Sequence, residues 1–165
     1  MPGNIVLIGF MGAGKSATGV ALADALGFKL YDTDEMVERK AKMSIEDIFE
    51  QKGEARFRTL EHAAVKTACN GSSRVIACGG GSILQLRNHT ILKEAGVVVY
   101  LRASEGSLRA RLRTAEGRPL LKARGALSRL LAERAPGYEA AADVVVDTDD
   151  GDPKEIAERI IEALT

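Results

Sequence analysis

Eight consecutive residues, Gly9-Phe10-Met11-Gly12-Ala13-Gly14-Lys15-Ser16, fit the pattern G-x-x-x-x-G-K-[ST] at every fixed position. That spacing suits the polyphosphate of a nucleoside triphosphate. Glycines let the backbone turn tightly and aim successive N–H groups at phosphate oxygens. A helix that follows adds the positive end of its dipole. Lys15 is expected to reach the β- and γ-phosphates, and the Ser16 hydroxyl to ligate Mg²⁺. The nucleotide site is therefore assigned to Gly12, Ala13, Gly14, Lys15, Ser16 and Ala17. A glycine-rich turn that binds nothing is the plain alternative. The apolar run Ile5–Ile8 before the loop and the helical spacing after it argue against that. The loop alone does not separate a kinase from a GTPase switch. No N-K-x-D tetrapeptide for guanine occurs, and the D-x-x-G match at Asp24-Ala25-Leu26-Gly27 lies too early to sense a γ-phosphate.

A second constellation is Asp32-Thr33-Asp34, at the end of the extended stretch Phe28–Tyr31. Open parallel sheets bind ligands at the carboxyl ends of their strands. Residues two apart on an extended segment point the same way, so both carboxylates are expected to face one cleft. One suits Mg²⁺, directly or through water, and the other suits orienting or deprotonating a hydroxyl nucleophile. A solvated acidic helix start is the alternative.

These residues need a scaffold, and the apolar pattern supplies one. Ile5–Ile8, Val75–Ala77, Val97–Leu101 and Val144–Val146 read as buried strands, with Phe28–Tyr31 a fifth. Helical stripes lie between and after them: Ala21, Leu22, Ala25 and Leu26; then Ile83, Leu84, Leu86, Ile91 and Leu92; then Ile156, Ile160, Ile161 and Leu164. Strand alternating with helix predicts an α/β fold, a five-stranded parallel sheet flanked by helices, as one domain over 1–165. Two stretches break the rhythm. Glu35 to Asn70 is too long for one crossover helix, and Ser44 with Asp47 marks a fresh helix start. Thr114 to Gly125 reads as a surface loop between two helices.

Composition narrows the function classes. Among 165 residues, 23 Lys plus Arg balance 23 Asp plus Glu, so no global basic field for nucleic acid exists. Two cysteines, Cys69 and Cys78, lack metal-ligand spacing and make a poor disulfide framework, which suits a reducing compartment. The N-terminus shows no basic stretch followed by an apolar signal segment. The run Val97–Leu101 is far too short to span a bilayer. A soluble, cytoplasmic protein is expected, with no membrane or nucleic-acid partner; a monomer is the working expectation. His62 and His89, without partners at metal or triad spacing, read as exposed helix residues, and Asp147 to Asp152 as a solvated loop.

Further motifs follow in order: Ser44-Ile45-Glu46-Asp47-Ile48-Phe49, Gly53-Glu54-Ala55-Arg56-Phe57-Arg58-Thr59-Leu60-Glu61, Gly79-Gly80-Gly81 after a strand, Arg118-Pro119-Leu120-Leu121 and Glu133-Arg134-Ala135-Pro136-Gly137-Tyr138. With the phosphate loop and Asp32-Thr33-Asp34, this ordered set resembles the shikimate kinases, small P-loop enzymes of the nucleoside-monophosphate-kinase type. The resemblance runs from Ile5 to about Pro153. It implies transfer of the γ-phosphoryl group of ATP to the 3-hydroxyl of shikimate, with Mg²⁺ held by Ser16 and Asp32. It implies a substrate-binding region at about 33–62 and a lid at about 113–125. Arg58 and Arg134 are the implied carboxylate clamps, a task suited to planar guanidinium groups. Gly79, Gly80 and Gly81 would lend N–H groups, and Asp34 would bind ring hydroxyls and serve as a base. Lys15, Asp34 and Arg118 are thus the implied catalytic set, Arg118 stabilising charge from the lid. Arg113 falls at the adenine-stacking position, with Arg109 and Arg111 crowding the same stretch. Pro153 falls at an adenine contact, or simply opens the last helix.

The chain departs from the family pattern in three places. The lid segment Thr114-Ala115-Glu116-Gly117 is short, Gly137 replaces a larger apolar residue and would loosen packing beside Arg134, and Cys78 precedes the triple glycine. Two rivals stand beside this reading: another P-loop kinase, acting on gluconate or a nucleoside monophosphate, and a nucleotide-binding regulator without catalysis.

Overall fold

The β-branched runs form five strands: β1 (Asn4–Ile8), β2 (Lys29–Asp32), β3 (Arg74–Ala77), β4 (Val97–Arg102) and β5 (Val144–Asp147). The computed structural model describes residues 3–112 and 125–165. The strands make one parallel sheet in the order β2-β3-β1-β4-β5. All five residues of β1 are buried, because helices cover both faces of the sheet. Ile5 sits opposite Val75 on one side and Val97 on the other. The order reverses at β1, where chain crossings leave a crevice at the carboxyl ends. The phosphate loop leaves β1 at that point.

The helices are α1 (Lys15–Leu26), α2 (Thr33–Ala41), α3 (Ile45–Lys52), α4 (Glu54–Ala68), α5 (Leu86–Ala95), α6 (Glu105–Arg111), α7 (Ala126–Ala141) and α8 (Pro153–Leu164). α8 buries Ile156, Ala157 and Ile160 and packs on α1. Asn4 ties the entry of the sheet together. Its Nδ2 donates to the carbonyls of Gly71 and Ala95 at 2.8 and 3.1 Å, and its Oδ1 accepts from the Arg74 N–H at 3.0 Å.

α2, α3 and α4 enclose a small core of their own, Val37, Ile48, Phe57 and Ala64, with Phe49 and Phe57 rings 4.9 Å apart. Ser44 caps α3, its hydroxyl accepting from the Asp47 N–H at 3.1 Å. This cluster spans most of the stretch predicted at 33–62.

Three expectations shift. The stripe from Ile83 to Leu92 is not one helix. A 3₁₀ turn covers Ser82–Leu84, Gln85 is extended (φ −83°, ψ 122°), and α5 begins after it. Leu86 is therefore off the buried face, at 82% exposed. The acidic stretch is stitched to its neighbours rather than merely solvated. Asp147 ends β5 and pairs with Arg102 at 2.7 Å, Asp149 accepts from the Ser104 N–H, and Asp152 caps α8. His62 and His89 are half-buried rather than exposed, and His62 Nδ1 lies 2.8 Å from Asn88 Oδ1. Among the described residues, no helix is long and apolar enough to cross a membrane.

Candidate active site

Gly14 stands at the N-terminus of α1 with φ 92° and ψ 21°, a left-handed conformation that favours glycine. Among the described residues, no side chain caps this helix end. The first-turn N–H groups at Lys15, Ser16 and Ala17 are thus left for an anion. Lys15 Nζ donates to the carbonyls of Gly9 and Phe10 at 2.6 and 2.9 Å, folding the side chain back over the loop. Burial pushes its ammonium down to about 8, against the pull of Asp34.

The Ser16 hydroxyl donates to Asp32 Oδ2 at 2.5 Å. The other oxygen, Asp32 Oδ1, accepts from the N–H groups of Asp34 and Glu35 at 3.1 and 3.2 Å, capping α2. This corrects the expectation that Asp32 and Asp34 share an extended segment. Asp32 ends the strand by capping the next helix, and Asp34 lies in that helix's first turn. Both line the same cavity nonetheless. Thr33, fully buried between them, accepts the Gly79 N–H at 3.0 Å.

The cavity holds about 380 Å³. One side carries Gly12, Gly14, Lys15, Ser16, Ala17, Asp32 and Asp34; the rest carries Arg58, Glu61, Gly80, Gly81 and Arg134, with Met11, Ile45, Phe49, Phe57, Ala77 and Cys78 as apolar and thiol lining. Arg58 Nη1 donates to both oxygens of Glu61, at 2.9 and 3.2 Å. Glu61 is 1% exposed, and burial raises its pKa while Arg58 draws it down. Arg134 is buried, its guanidinium 5.9 Å from the centre of the Phe10 ring. Its Nη1 has no hydrogen-bond partner among the described residues, and neither does the buried Nε of Arg58.

The glycine loop explains how these groups come so close. A Cβ at Gly81 would lie 2.8 Å from both terminal nitrogens of Arg58, and one at Gly80 would lie 3.0 Å from Arg134 Nη1. A Cβ at Gly79 would collide with Asp34 Oδ1. The Gly79 N–H is already committed to Thr33, so the loop offers the N–H groups of Gly80 and Gly81 rather than all three. The buried guanidinium of Arg134 and the half-buried one of Arg58, beside two backbone donors, form a receptor for one planar carboxylate. The phosphate loop, which lines the same cavity and comes within 3.5 Å of a Cβ built at Gly80, is a receptor for a polyphosphate. Cys78 lines the same cavity as a neutral thiol, burial pushing its pKa well above the usual value.

The remaining candidates lie elsewhere. Ala13 is buried beneath the loop, and Pro153 opens α8 without lining the cavity. Arg113 and Arg118 lie outside the described residues, as does all but the last residue of the predicted lid. Of the crowded arginines, Arg109 turns to Glu105 and Ser128. Arg111 instead donates to the Gly12 carbonyl at 3.1 Å and the Thr148 carbonyl at 2.6 Å. Gly137 does not loosen its surroundings, because the Leu84 side chain fills the space a Cβ would take. Three residues without an assigned role prove to shape the site: Glu61, Thr33 and Tyr138, whose hydroxyl donates to the Gly80 carbonyl at 2.5 Å. Glu61 was within reach of sequence reasoning, since i and i+3 positions meet on a helix face.

Among the described residues, no cluster of three or more His, Cys, Asp or Glu could hold a metal ion. The Ser16 hydroxyl and the Asp32 carboxylate, in contact, still suit Mg²⁺, which takes oxygen ligands and keeps much of its water or phosphate shell.

A family model described as Shikimate kinase matches residues 11–165. A shikimate kinase of Thermodesulfovibrio yellowstonii is 44% identical over 161 residues, covering 96% of this chain and 92% of the relative. A shikimate kinase from Acinetobacter baumannii, solved in complex with shikimate, superposes with a TM-score of 0.94 at 36% identity, covering 98% of this chain and 92% of that one. The crystal structure of shikimate kinase from Aquifex aeolicus superposes with a TM-score of 0.84 at 32% identity, covering 98% and 95%.

Proposed function

Because the chain belongs to the shikimate kinase family, a family of ATP-dependent kinases, we propose that its cavity binds shikimate and transfers the γ-phosphoryl group of ATP to the 3-hydroxyl. One observation carries the assignment of the substrate end. Buried Arg134, with an Nη1 that has no hydrogen-bond partner among the described residues, and half-buried Arg58, held by Glu54 and Glu61, both approach a glycine loop that lies beside the phosphate loop. Shikimate has one carboxylate and three ring hydroxyls, and about 380 Å³ accommodates a ring of that size beside a terminal phosphate.

In this reading Arg58 and Arg134 clamp the carboxylate, with Glu61 holding Arg58 in place. The N–H groups of Gly80 and Gly81 complete the grip. Asp34 accepts from the ring hydroxyls and is placed to take the proton of the reacting one. The O–H bond breaks as the oxygen bonds to the γ-phosphorus, and the bond from that phosphorus to the β-phosphate oxygen breaks to release ADP. Lys15 exchanges its contacts with the carbonyls of Gly9 and Phe10 for the β- and γ-phosphates. Ser16 and Asp32 would hold Mg²⁺, which neutralises phosphate charge. Arg118 is assigned to the γ-phosphate from a lid at about 113–125, and Arg113 and Pro153 to adenine. The chain is proposed to act as a cytoplasmic monomer of one domain, without nucleic acid or membrane.

The product tests this reading. After incubation with ATP, Mg²⁺ and shikimate, a phosphorus–proton NMR correlation should place the new phosphate on the carbon of the 3-hydroxyl. Phosphate on another hydroxyl, or only free phosphate, would contradict it.

A further inference from the structure

Tyr138 is fully buried in α7, its ring centre 5.2 Å from that of Tyr100 on β4. Its hydroxyl reaches 58 positions back to the Gly80 carbonyl, at 2.5 Å. That carbonyl belongs to the peptide linking Gly80 to Gly81. In a trans peptide the C=O and N–H point in opposite directions, and the described residues contain no cis bond. Holding the Gly80 carbonyl against α7 therefore turns the Gly81 N–H the other way, and Gly81 lines the cavity. A peptide between two glycines resists rotation less than any other, since neither neighbour has a Cβ to restrict it. The Ser82 N–H closes a turn onto the Gly79 carbonyl at 3.0 Å. A turn of this kind admits two orientations of its central peptide, and a contact from outside the loop selects one. Thr33 does the same one residue earlier by accepting the Gly79 N–H.

Tyr138 also lies four positions after Arg134, on the same face of α7. One helical turn thus carries both a guanidinium of the cavity and the tether of the neighbouring N–H donor. From this geometry we propose that Tyr138 is a positioning residue that fixes the Gly80–Gly81 peptide, so that Arg134 and the Gly81 N–H meet the substrate carboxylate as one unit. This rests on the reading of the cavity as the shikimate site. The tether itself exists in the ligand-free chain and is testable there.

Tyr138→Phe removes the hydroxyl and keeps the ring. The KM for shikimate should rise on the order of tenfold, the worth of one lost buried hydrogen bond, while kcat and the KM for ATP stay within twofold. A purely structural role would move both KM values or neither. In the ligand-free variant the Gly81 amide signal should broaden or split as the peptide samples two orientations. A folded variant with an unchanged KM for shikimate and an unchanged Gly81 signal would overturn the proposal. Should the variant fail to fold, the wild-type chain still decides. Its Tyr138 hydroxyl proton should exchange slowly and show a cross-peak to Gly80, and a freely exchanging hydroxyl would overturn the tether. If shikimate fails to stimulate the wild-type enzyme, the functional reading falls, and the amide and hydroxyl signals report on the tether by themselves.

Discussion

Replacing Arg134 by methionine should change stability and substrate affinity in opposite directions. Arg134 is 7% exposed, and its Nη1 finds no partner among the described residues. A buried charged donor left unsatisfied costs at least about 1–3 kcal/mol. Methionine keeps an unbranched stem near the Phe10 ring and removes the charge. The ligand-free variant should therefore be the more stable protein by about 1–3 kcal/mol, with each kcal/mol raising Tm about 2–4 °C for a domain of this size. Shikimate binding should weaken by about 2–5 kcal/mol, since its carboxylate loses a buried charged partner. That corresponds to a dissociation constant about 30 to several thousand times larger. Calorimetric titration with shikimate and a thermal melt, each on wild type and variant, read the two effects. ATP affinity should be unchanged. A variant that melts lower and binds shikimate normally would refute the reasoning, since Arg134 would then be a structural residue satisfied by contacts of its own.

Other predictions follow from the same contacts. Lys15 titrates near 8 in the free chain, and its charged form is the one that holds phosphate. The kcat/KM for ATP should be flat below that pH and fall above it by up to tenfold per unit, and a profile level to pH 10 would contradict the assignment. Gly81→Ala places a methyl 2.8 Å from the Arg58 nitrogens, which yield because they end a flexible side chain. The KM for shikimate should rise about tenfold or more with Tm nearly unchanged, on the scale of one displaced charge-assisted hydrogen bond. A large loss of Tm would mean that the loop itself cannot shift. Asp32→Asn keeps a cap for α2 and a partner for Ser16 but removes the charge. The Mg²⁺ concentration for half-maximal activity should rise about tenfold, near one lost charge-assisted contact; an unchanged requirement would remove Asp32 from the metal site.

How much was legible depended on whether the cause was local. β1 could be read directly, because Ile5, Val6, Leu7 and Ile8 are all apolar and a strand buried on both faces has no alternation to disguise. The Ser44 cap was legible because its partner is three residues away. Alternation fails at Asp32, because the side chain itself ends the strand and starts α2. Helical spacing fails at Leu86, because Gln85 breaks the register just before it. The half-burial of His62 depends on Asn88 from another helix, and the tether of Gly80 on Tyr138 from the far end of the chain. No spacing rule reports contacts of that kind. Motif order did bring Lys15, Ser16, Asp32, Asp34, Arg58, Gly80, Gly81 and Arg134 to notice together, and the fold gathers them around one cavity. It could not show that Gly79 spends its N–H on Thr33.

The most direct test of the proposed function is ADP release with ATP and Mg²⁺ in the presence of shikimate, gluconate or AMP, each against a no-acceptor control. Stimulation by shikimate alone is the predicted result. Stimulation by gluconate or AMP instead, or tight ATP binding with no acceptor raising ADP release, would contradict it.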